Sequence, residues 1–219
     1  MSLIAKSEGN LNIKKLEDGV YTAVSSMLVD LGIQKSEKYG KSSRKIIIVW
    51  NVTNEFIEIN GEKLPRVMSK EYTMTLSEKS TLRKDLQAWR GKQFTQEELK
   101  GFNLANILNK GCQLQILNTE NNGKTYTNIV AIMALPRGMS VESLDKTIVF
   151  DTYDENTWNN YKVLPTWIQD KIKKAENISE KGLDIYIKEY EEIVKENQGK
   201  QEENTTNNEI TTPDDDLPF

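Results

Sequence analysis

Two Asn-Gly pairs constrain the fold more than any other feature of this sequence. Asn60-Gly61 separates the β-forming runs 55–59 and 63–68, and Asn122-Gly123 separates the runs 112–117 and 124–135. Asn and Gly tolerate the positive φ angles that two-residue hairpin turns require. The chain is therefore predicted to build antiparallel β-sheet around two hairpins.

Two further strands are predicted before the first of these turns. Residues 20–31 are rich in β-forming side chains and follow the turn signal Asp18-Gly19. Residues 45–52 read Lys-Ile-Ile-Ile-Val-Trp-Asn-Val, a nearly continuous β-branched run that is typical of a strand buried on both faces. The polar connection over 32–43 is predicted to be a mobile loop.

Between the two hairpins the apolar spacing becomes helical. An apolar stripe recurs at helical intervals at Leu82, Leu86 and Trp89. Ser77 is the predicted N-cap of this helix and Gly91 its stop signal. Thr95 and Glu98 have the spacing of a capping box, which predicts the start of a second, short helix.

Three or four strands, a helical insertion and a final hairpin are the order of elements expected of an OB-fold. In that five-stranded Greek-key barrel the helix lies between the third and fourth strands. The predicted fold is therefore mainly β with helical insertions, an OB-fold five-stranded Greek-key barrel over residues 1–140. Periodicity leaves an α+β sandwich open as the alternative.

The remainder of the chain is predicted to form two further segments. Residues 141–196 are an acidic, partly helical extension, with a short helix within 165–174 and a longer one after Ser179 as N-cap. The sequence leaves open whether the longer helix covers the barrel or pairs between chains as a homo-oligomer. Residues 197–219 are predicted to be a disordered acidic tail, because Gln, Glu, Asn and Thr cannot bury enough apolar surface to offset chain entropy.

Charge is distributed unevenly along the chain. The net charge of −4 averages +6 over residues 1–140, −5 over residues 141–196 and −5 over residues 197–219. A basic domain followed by an acidic extension and tail is typical of proteins that bind nucleic acid. No apolar run approaches the roughly 20 residues of a membrane-spanning helix, so no membrane partner is expected and a cytoplasmic location is predicted.

The composition argues against an enzyme. There is no histidine and only one cysteine, Cys112, so the commonest general base and any Cys-based zinc site are missing. No Gly-rich phosphate loop is present. Asp151, Asp154 and Glu155 have a spacing that vaguely suits a hard cation, but no further ligand accompanies them. We expect no catalytic residues, no metal and no cofactor, and a metal-dependent nuclease is the least favoured reading.

The C-terminal tip of the tail has the chemistry of a peptide ligand. It consists of Asp214, Asp215, Asp216, Leu217, Pro218 and Phe219. The terminal ring can fill an apolar pocket, its carboxylate can meet a cation, and the aspartates can steer the encounter. This ending resembles the tip of bacterial single-stranded-DNA-binding proteins, in which isoleucine usually stands at the position of Leu217. The resemblance implies recruitment of replication, recombination or repair enzymes.

The body carries a second resemblance. The residues concerned are Asp-Gly-Val-Tyr at 18–21, the stretch 65–72, Leu82–Leu86 with Trp89-Arg90-Gly91, Gly123–Tyr126, and 164–168. Over about residues 8–175 the chain resembles phage and prophage single-stranded-DNA-binding proteins of OB type. This resemblance implies a phage or prophage origin and a bacterial host cell.

Binding a single strand requires cations that track the phosphates and aromatic faces that accept bases. Alternate residues of a strand share one face, which groups Arg66, Lys70 and Tyr72, and also Lys124 with Tyr126. Burial in the core is the alternative for the aromatic residues, and it is favoured for Trp50. The full set of predicted DNA contacts is Lys41, Arg44, Lys45, Trp50, Arg66, Lys70, Tyr72, Lys124, Tyr126 and Arg137.

These patterns together predict a protein that binds and protects single-stranded DNA without sequence preference during phage or prophage replication or recombination. The tail would recruit partner enzymes. A single-strand annealing recombination factor is the alternative, because it would need the same basic surface.

Overall fold

The computed structural model describes residues 15–36, 40–59, 61–178 and 182–193. Six strands form one sheet: β1 (Gly19–Lys35), β2 (Ser42–Ile59), β3 (Glu62–Thr73), β4 (Gly111–Asn121), β5 (Lys124–Met133) and β6 (Ile148–Phe150). The helices are α1 (Thr81–Arg90), α2 (Gln96–Lys100), α3 (Thr166–Ile172) and α4 (183–193), with 3₁₀ segments at Leu104–Ile107 and Glu155–Val163. No helix among these described residues is long and apolar enough to cross a membrane.

The sheet is a curled, antiparallel half-barrel of five strands. Their order is β3-β2-β1-β4-β5, and each neighbouring pair is antiparallel. The first part of β1 pairs with β4, whereas residues 27–29 pair in parallel with β6. Helix α1 contacts β3 and β5, the strands at the two edges of the half-barrel. The predicted order of three or four strands, a helical insertion and a hairpin is confirmed, with three strands before the insertion.

Local signals explain where the helical insertion begins and ends. Ser80, not the predicted Ser77, is the N-cap of α1, because residues 77–80 form a turn in which the Ser80 N–H donates to the Ser77 carbonyl at 2.9 Å. Gly91 ends the helix at a φ of 64°, as its position predicted. The capping box is also confirmed: the Thr95 side chain accepts from the Glu98 N–H, and the Glu98 side chain accepts from the Thr95 N–H.

Strand β2 is buried on both faces, as its continuous apolar run predicted. Ile46, Ile48 and Trp50 point into the half-barrel, where the main core also contains residues of α1 and β4. Ile47 and Val49 point outward into a second core. We call these two sides of the sheet the inner face and the outer face.

The acidic extension forms the second core by covering part of the outer face. Ile168 and Ile172 of α3 and Leu183 and Ile187 of α4 are buried against outward residues of β1 and β2. Helix α4 therefore covers the sheet of its own chain, which was one of the two alternatives the sequence left open.

A close backbone approach at Gly32 ties the extension to the end of β1. Gly32 has a φ of 72°, and a Cβ there would lie 2.5 Å from the Asn177 side-chain oxygen. That oxygen accepts the Ile33 N–H at 2.8 Å, while the Glu176 N–H donates to the Ile33 carbonyl at 2.9 Å. The extension is therefore held on the sheet by hydrogen bonds to the Ile33 backbone as well as by the apolar contacts of the second core.

Two hairpin arms extend beyond the N-terminal end of β1. Gly19, the first residue of β1, pairs with Ile116, so residues 117–128 of β4 and β5 continue past it. Ala23 pairs with Val52, so residues 55–59 of β2 and 62–66 of β3 also project at this end. We call 55–59 together with 62–66 the first arm and 117–128 the second arm.

Candidate nucleic-acid interface

Part of the outer face is left uncovered between the two arms. A loop after β5 crosses the sheet at Gly111, where an added Cβ would lie 2.5 Å from Val141 and 2.6 Å from Leu135. Beyond that loop, the strand alternation and the pairing register turn a mixed set of polar and apolar side chains outward. This open face consists of Val20, Thr22, Asn51, Thr53, Phe56, Lys63, Val67, Gln113, Gln115, Leu117, Lys124, Tyr126 and Asn128.

The first arm carries an exposed aromatic ring. Phe56 is 48% exposed and lies opposite Pro65 on β3. The Lys63 ammonium group is 4.3 Å from the centre of the Phe56 ring. The cation therefore lies over one face of an exposed aromatic ring on this arm, and both side chains are in contact with solvent.

The second arm also carries an exposed aromatic ring and a lysine. Its turn residues Asn122 and Gly123 have φ angles of 51° and 70°, which fits the predicted two-residue hairpin. Tyr126 is 48% exposed and pairs with Thr119. Lys124 is exposed on the same side of the strand and makes no ion pair with any described residue. The prediction that Lys124 and Tyr126 share an exposed face fits this geometry.

A cleft of about 670 Å³ lies next to the first arm. Its floor contains Thr22, Val24, Asn51 and Thr53, and its walls are Phe56 with Pro65 on one side and residues 139–145 on the other. The Leu144 N–H donates to the Asn109 side chain at 2.8 Å, which fixes the far wall. The volume falls within the range of about 300–1,000 Å³ that is common for ligand sites.

The predicted contacts on β3 point to the inner face, away from this surface. The Tyr72 hydroxyl donates to Asp85 at 2.9 Å, and the Lys70 ammonium donates to the same carboxylate oxygen at 2.7 Å. Tyr72 is only 3% exposed, and burial together with the Asp85 carboxylate raises its pKa. Arg66 lies on the same side at the base of the first arm and is partly exposed. Tyr72 is therefore a core residue and cannot stack on a base.

Trp50 is also a core residue. Its side chain is fully buried, and its ring centre lies 5.7 Å from that of Trp89. The Trp89 indole N–H donates to the Gly111 carbonyl at 2.8 Å. The structure contradicts a DNA-stacking role for Trp50, because its ring is buried in the main core between the sheet and α1.

Arg44 belongs to a partly buried ionic network at the opposite end of the sheet. Its guanidinium donates to Asp30 at 2.9 Å and to Asp151 at 2.7 Å. The Thr152 N–H donates to the Asp30 carboxylate at 3.2 Å. Partial burial raises the pKa of Asp151, and Asp30 adds to the shift, while the Tyr153 N–H and the Arg44 charge oppose it. Arg44 therefore joins the sheet to the extension.

The other predicted cations are dispersed. Lys45 donates to the Thr73 hydroxyl at 2.8 Å, Lys41 is exposed just before β2, and Arg137 is exposed in the loop after β5. Of the ten predicted DNA contacts, the structure brings together Lys124 with Tyr126 and Lys70 with Tyr72, and only the first pair is on the open face. Sequence reasoning missed Phe56 and Lys63.

The predicted partner-binding tip, Asp214 to Phe219, lies outside the described residues. Of the carboxylates considered for a nuclease, Asp151 is paired with Arg44 and Asp154 accepts the Asn156 N–H at 3.1 Å. Within the described ranges, no three metal-ligating side chains cluster.

Cys112 is a buried free thiol. Burial raises its pKa to about 12, so it remains protonated at neutral pH.

Comparison with known proteins found no matching family model and no matching curated sequence.

Proposed function

We propose that this protein binds single-stranded DNA on the open face, between the two arms. One observation carries the proposal: each arm presents an exposed aromatic ring beside a lysine, and both pairs lie on the same face of the sheet. Stacked bases need an aromatic face and the phosphates between them need cations. Phe56 with Lys63, and Tyr126 with Lys124, supply both.

The arrangement favours a single strand over a duplex. A base can stack on Phe56 or Tyr126 only if it has left its neighbours, which costs little in a single strand and requires disruption of a duplex. Stacking does not depend on base identity, because every base has an aromatic face. We therefore propose binding that is broadly independent of sequence.

The sheet supports a finer proposal for the fold, an OB-type barrel. Strand β1 pairs with both β2 and β4, and helix α1 lies between β3 and β4 in sequence. This order is compatible with the five-stranded OB architecture, in which the sheet face and the hairpin loops bind oligonucleotides. The net charge of +6 over residues 1–140 suits the same partner.

We further propose that the protein acts in phage or prophage replication or recombination, and that its tail recruits the enzymes involved. The acidic tip 214–219 carries this part of the proposal by its composition alone. Its carboxylates and apolar end suit a basic pocket on a partner protein.

Neutralising the two arm lysines is expected to weaken the salt dependence of binding. Each phosphate contact on a single strand contributes roughly 0.7 to the slope of log K against log salt concentration, so Lys63→Ala with Lys124→Ala should reduce that slope by about 1.4. Fluorescence anisotropy with labelled oligo-dT over a range of salt concentrations measures the slope.

The matched control is Lys84→Ala with Lys174→Ala, which removes two exposed lysines that lie away from the open face. This control should leave the slope unchanged. An equal reduction by both double variants would mean that DNA follows net charge and not the arms, and would refute this location of the site.

A further inference from the structure

Asn51 is an unusual residue for its position in β2. It follows five consecutive apolar residues of β2, and Asn is depleted in strands. Its neighbours in the pairing register are two valines, Val24 and Val67. Its side-chain amide is partly buried and makes no hydrogen bond to any described residue. The amide is accessible to solvent in the cleft and is therefore available to a ligand, and such exceptions to local preference are typical of ligand sites.

The surroundings of Asn51 suit a nucleobase better than a phosphate. The amide lies on the floor of the cleft, with Phe56 and Pro65 as its apolar wall. Glu142 and Asp145, both exposed, lie on the opposite wall. Two carboxylates repel a phosphate, whereas an aromatic ring and a neutral amide accept the face and the edge of a base.

The geometry points to a binding site for one unstacked adenine base in this cleft, and we propose that the Asn51 amide reads its edge while Phe56 contacts its face. The side-chain amide of Asn pairs with adenine through one donated and one accepted hydrogen bond. The inference rests on the proposed function and adds a base preference at one position to binding that is otherwise independent of sequence.

Removing single hydrogen-bonding groups from the base and from the protein tests the inference. Three oligonucleotides are compared: all thymidine, thymidine with a central run of deoxyadenosine, and the same with deoxynebularine, which lacks the 6-amino group of adenine. The wild-type protein should bind the adenosine oligonucleotide at least about fivefold more tightly than the nebularine one. Asn51→Ala should bind the adenosine and the nebularine oligonucleotides equally.

Two further variants make the result decisive. Asn51→Thr, which introduces a strong β-former, should also lose the preference and guards against a folding defect in Asn51→Ala. Asn106→Ala, an exposed asparagine outside the cleft, should keep it. If the wild type shows no preference, or if both Asn51 variants retain it, the cleft is not an adenine site and single-strand binding still stands. If the wild type binds none of the three oligonucleotides, the proposed function itself is wrong.

Discussion

Replacing Arg44 with methionine is expected to lower the free energy of unfolding by about 3 kcal/mol, the lower end of the range for breaking a buried ion pair. The substitution leaves the Asp30 carboxylate, 5% exposed, without the cation that compensates its burial. Arg44 and Asp151 retain 31% and 39% exposure, which is why we expect the lower end of the range. Urea denaturation followed by tryptophan fluorescence measures the change.

Lys45→Met is the matched control, because it removes a neighbouring cation on β2 whose described contact is one hydroxyl. We expect it to change stability by less than about 1 kcal/mol. Folded Arg44→Met should bind oligo-dT as the wild type does, because Arg44 lies at the far end of the sheet from the arms. Full stability combined with a large loss of DNA affinity would show that Arg44 is a DNA contact after all.

Removing both rings of the open face is expected to have the largest effect on DNA binding. Base stacking on an aromatic side chain contributes about 1–3 kcal/mol per base, so Phe56→Ala with Tyr126→Ala should weaken binding to oligo-dT by about 30-fold or more. Both rings are about half exposed, so the melting temperature should change little. Anisotropy titrations and thermal denaturation give the two values.

Trp167→Ala provides the control for this double variant. Trp167 is an aromatic residue of α3 that is 46% exposed, on the extension and away from the arms. Its removal should leave oligo-dT affinity unchanged. A similar loss in both variants would indicate non-specific contact with exposed rings and would remove the argument for the arms.

The elements with strong local signals were predictable from the sequence. The Asn122-Gly123 turn, the capping box at Thr95 and the stop at Gly91 depend on neighbouring residues alone, and each occurs where it was expected. The run 46–50 predicted a strand that is buried on both faces because no other strand environment accepts so many consecutive apolar residues.

Elements held by distant contacts were not predictable. Strand β6 has three residues and exists through its pairing with residues 27–29 of β1. The 3₁₀ segment Glu155–Val163 has no regular apolar period, and Tyr161 is buried there by contact with the second core. The alternation of β3 correctly grouped Lys70 with Tyr72 but could not tell which face of the sheet was covered.

Phe56 was missed for a specific reason. Strict alternation from Trp50 would turn Phe56 to the inner face. Asn54, with a φ of 63°, lies in an irregularity between Asn51 and Phe56, and this insertion reverses the alternation so that Phe56 faces outward opposite Pro65. Between the pair made by Asn51 and the pair made by Phe56, β2 advances five residues while β3 advances two. An odd number of added residues moves every later side chain to the other face, and no local pattern fixes where they occur.

The central claim is that the open face holds a single strand, and the most direct test is the binding of the unmodified protein to labelled oligo-dT and to a duplex of equal length. The two titrations are run at the same series of salt concentrations. We predict tighter binding of oligo-dT at every concentration, with affinity falling as salt rises. Equal or tighter binding of the duplex, or binding that does not respond to salt, would contradict the account.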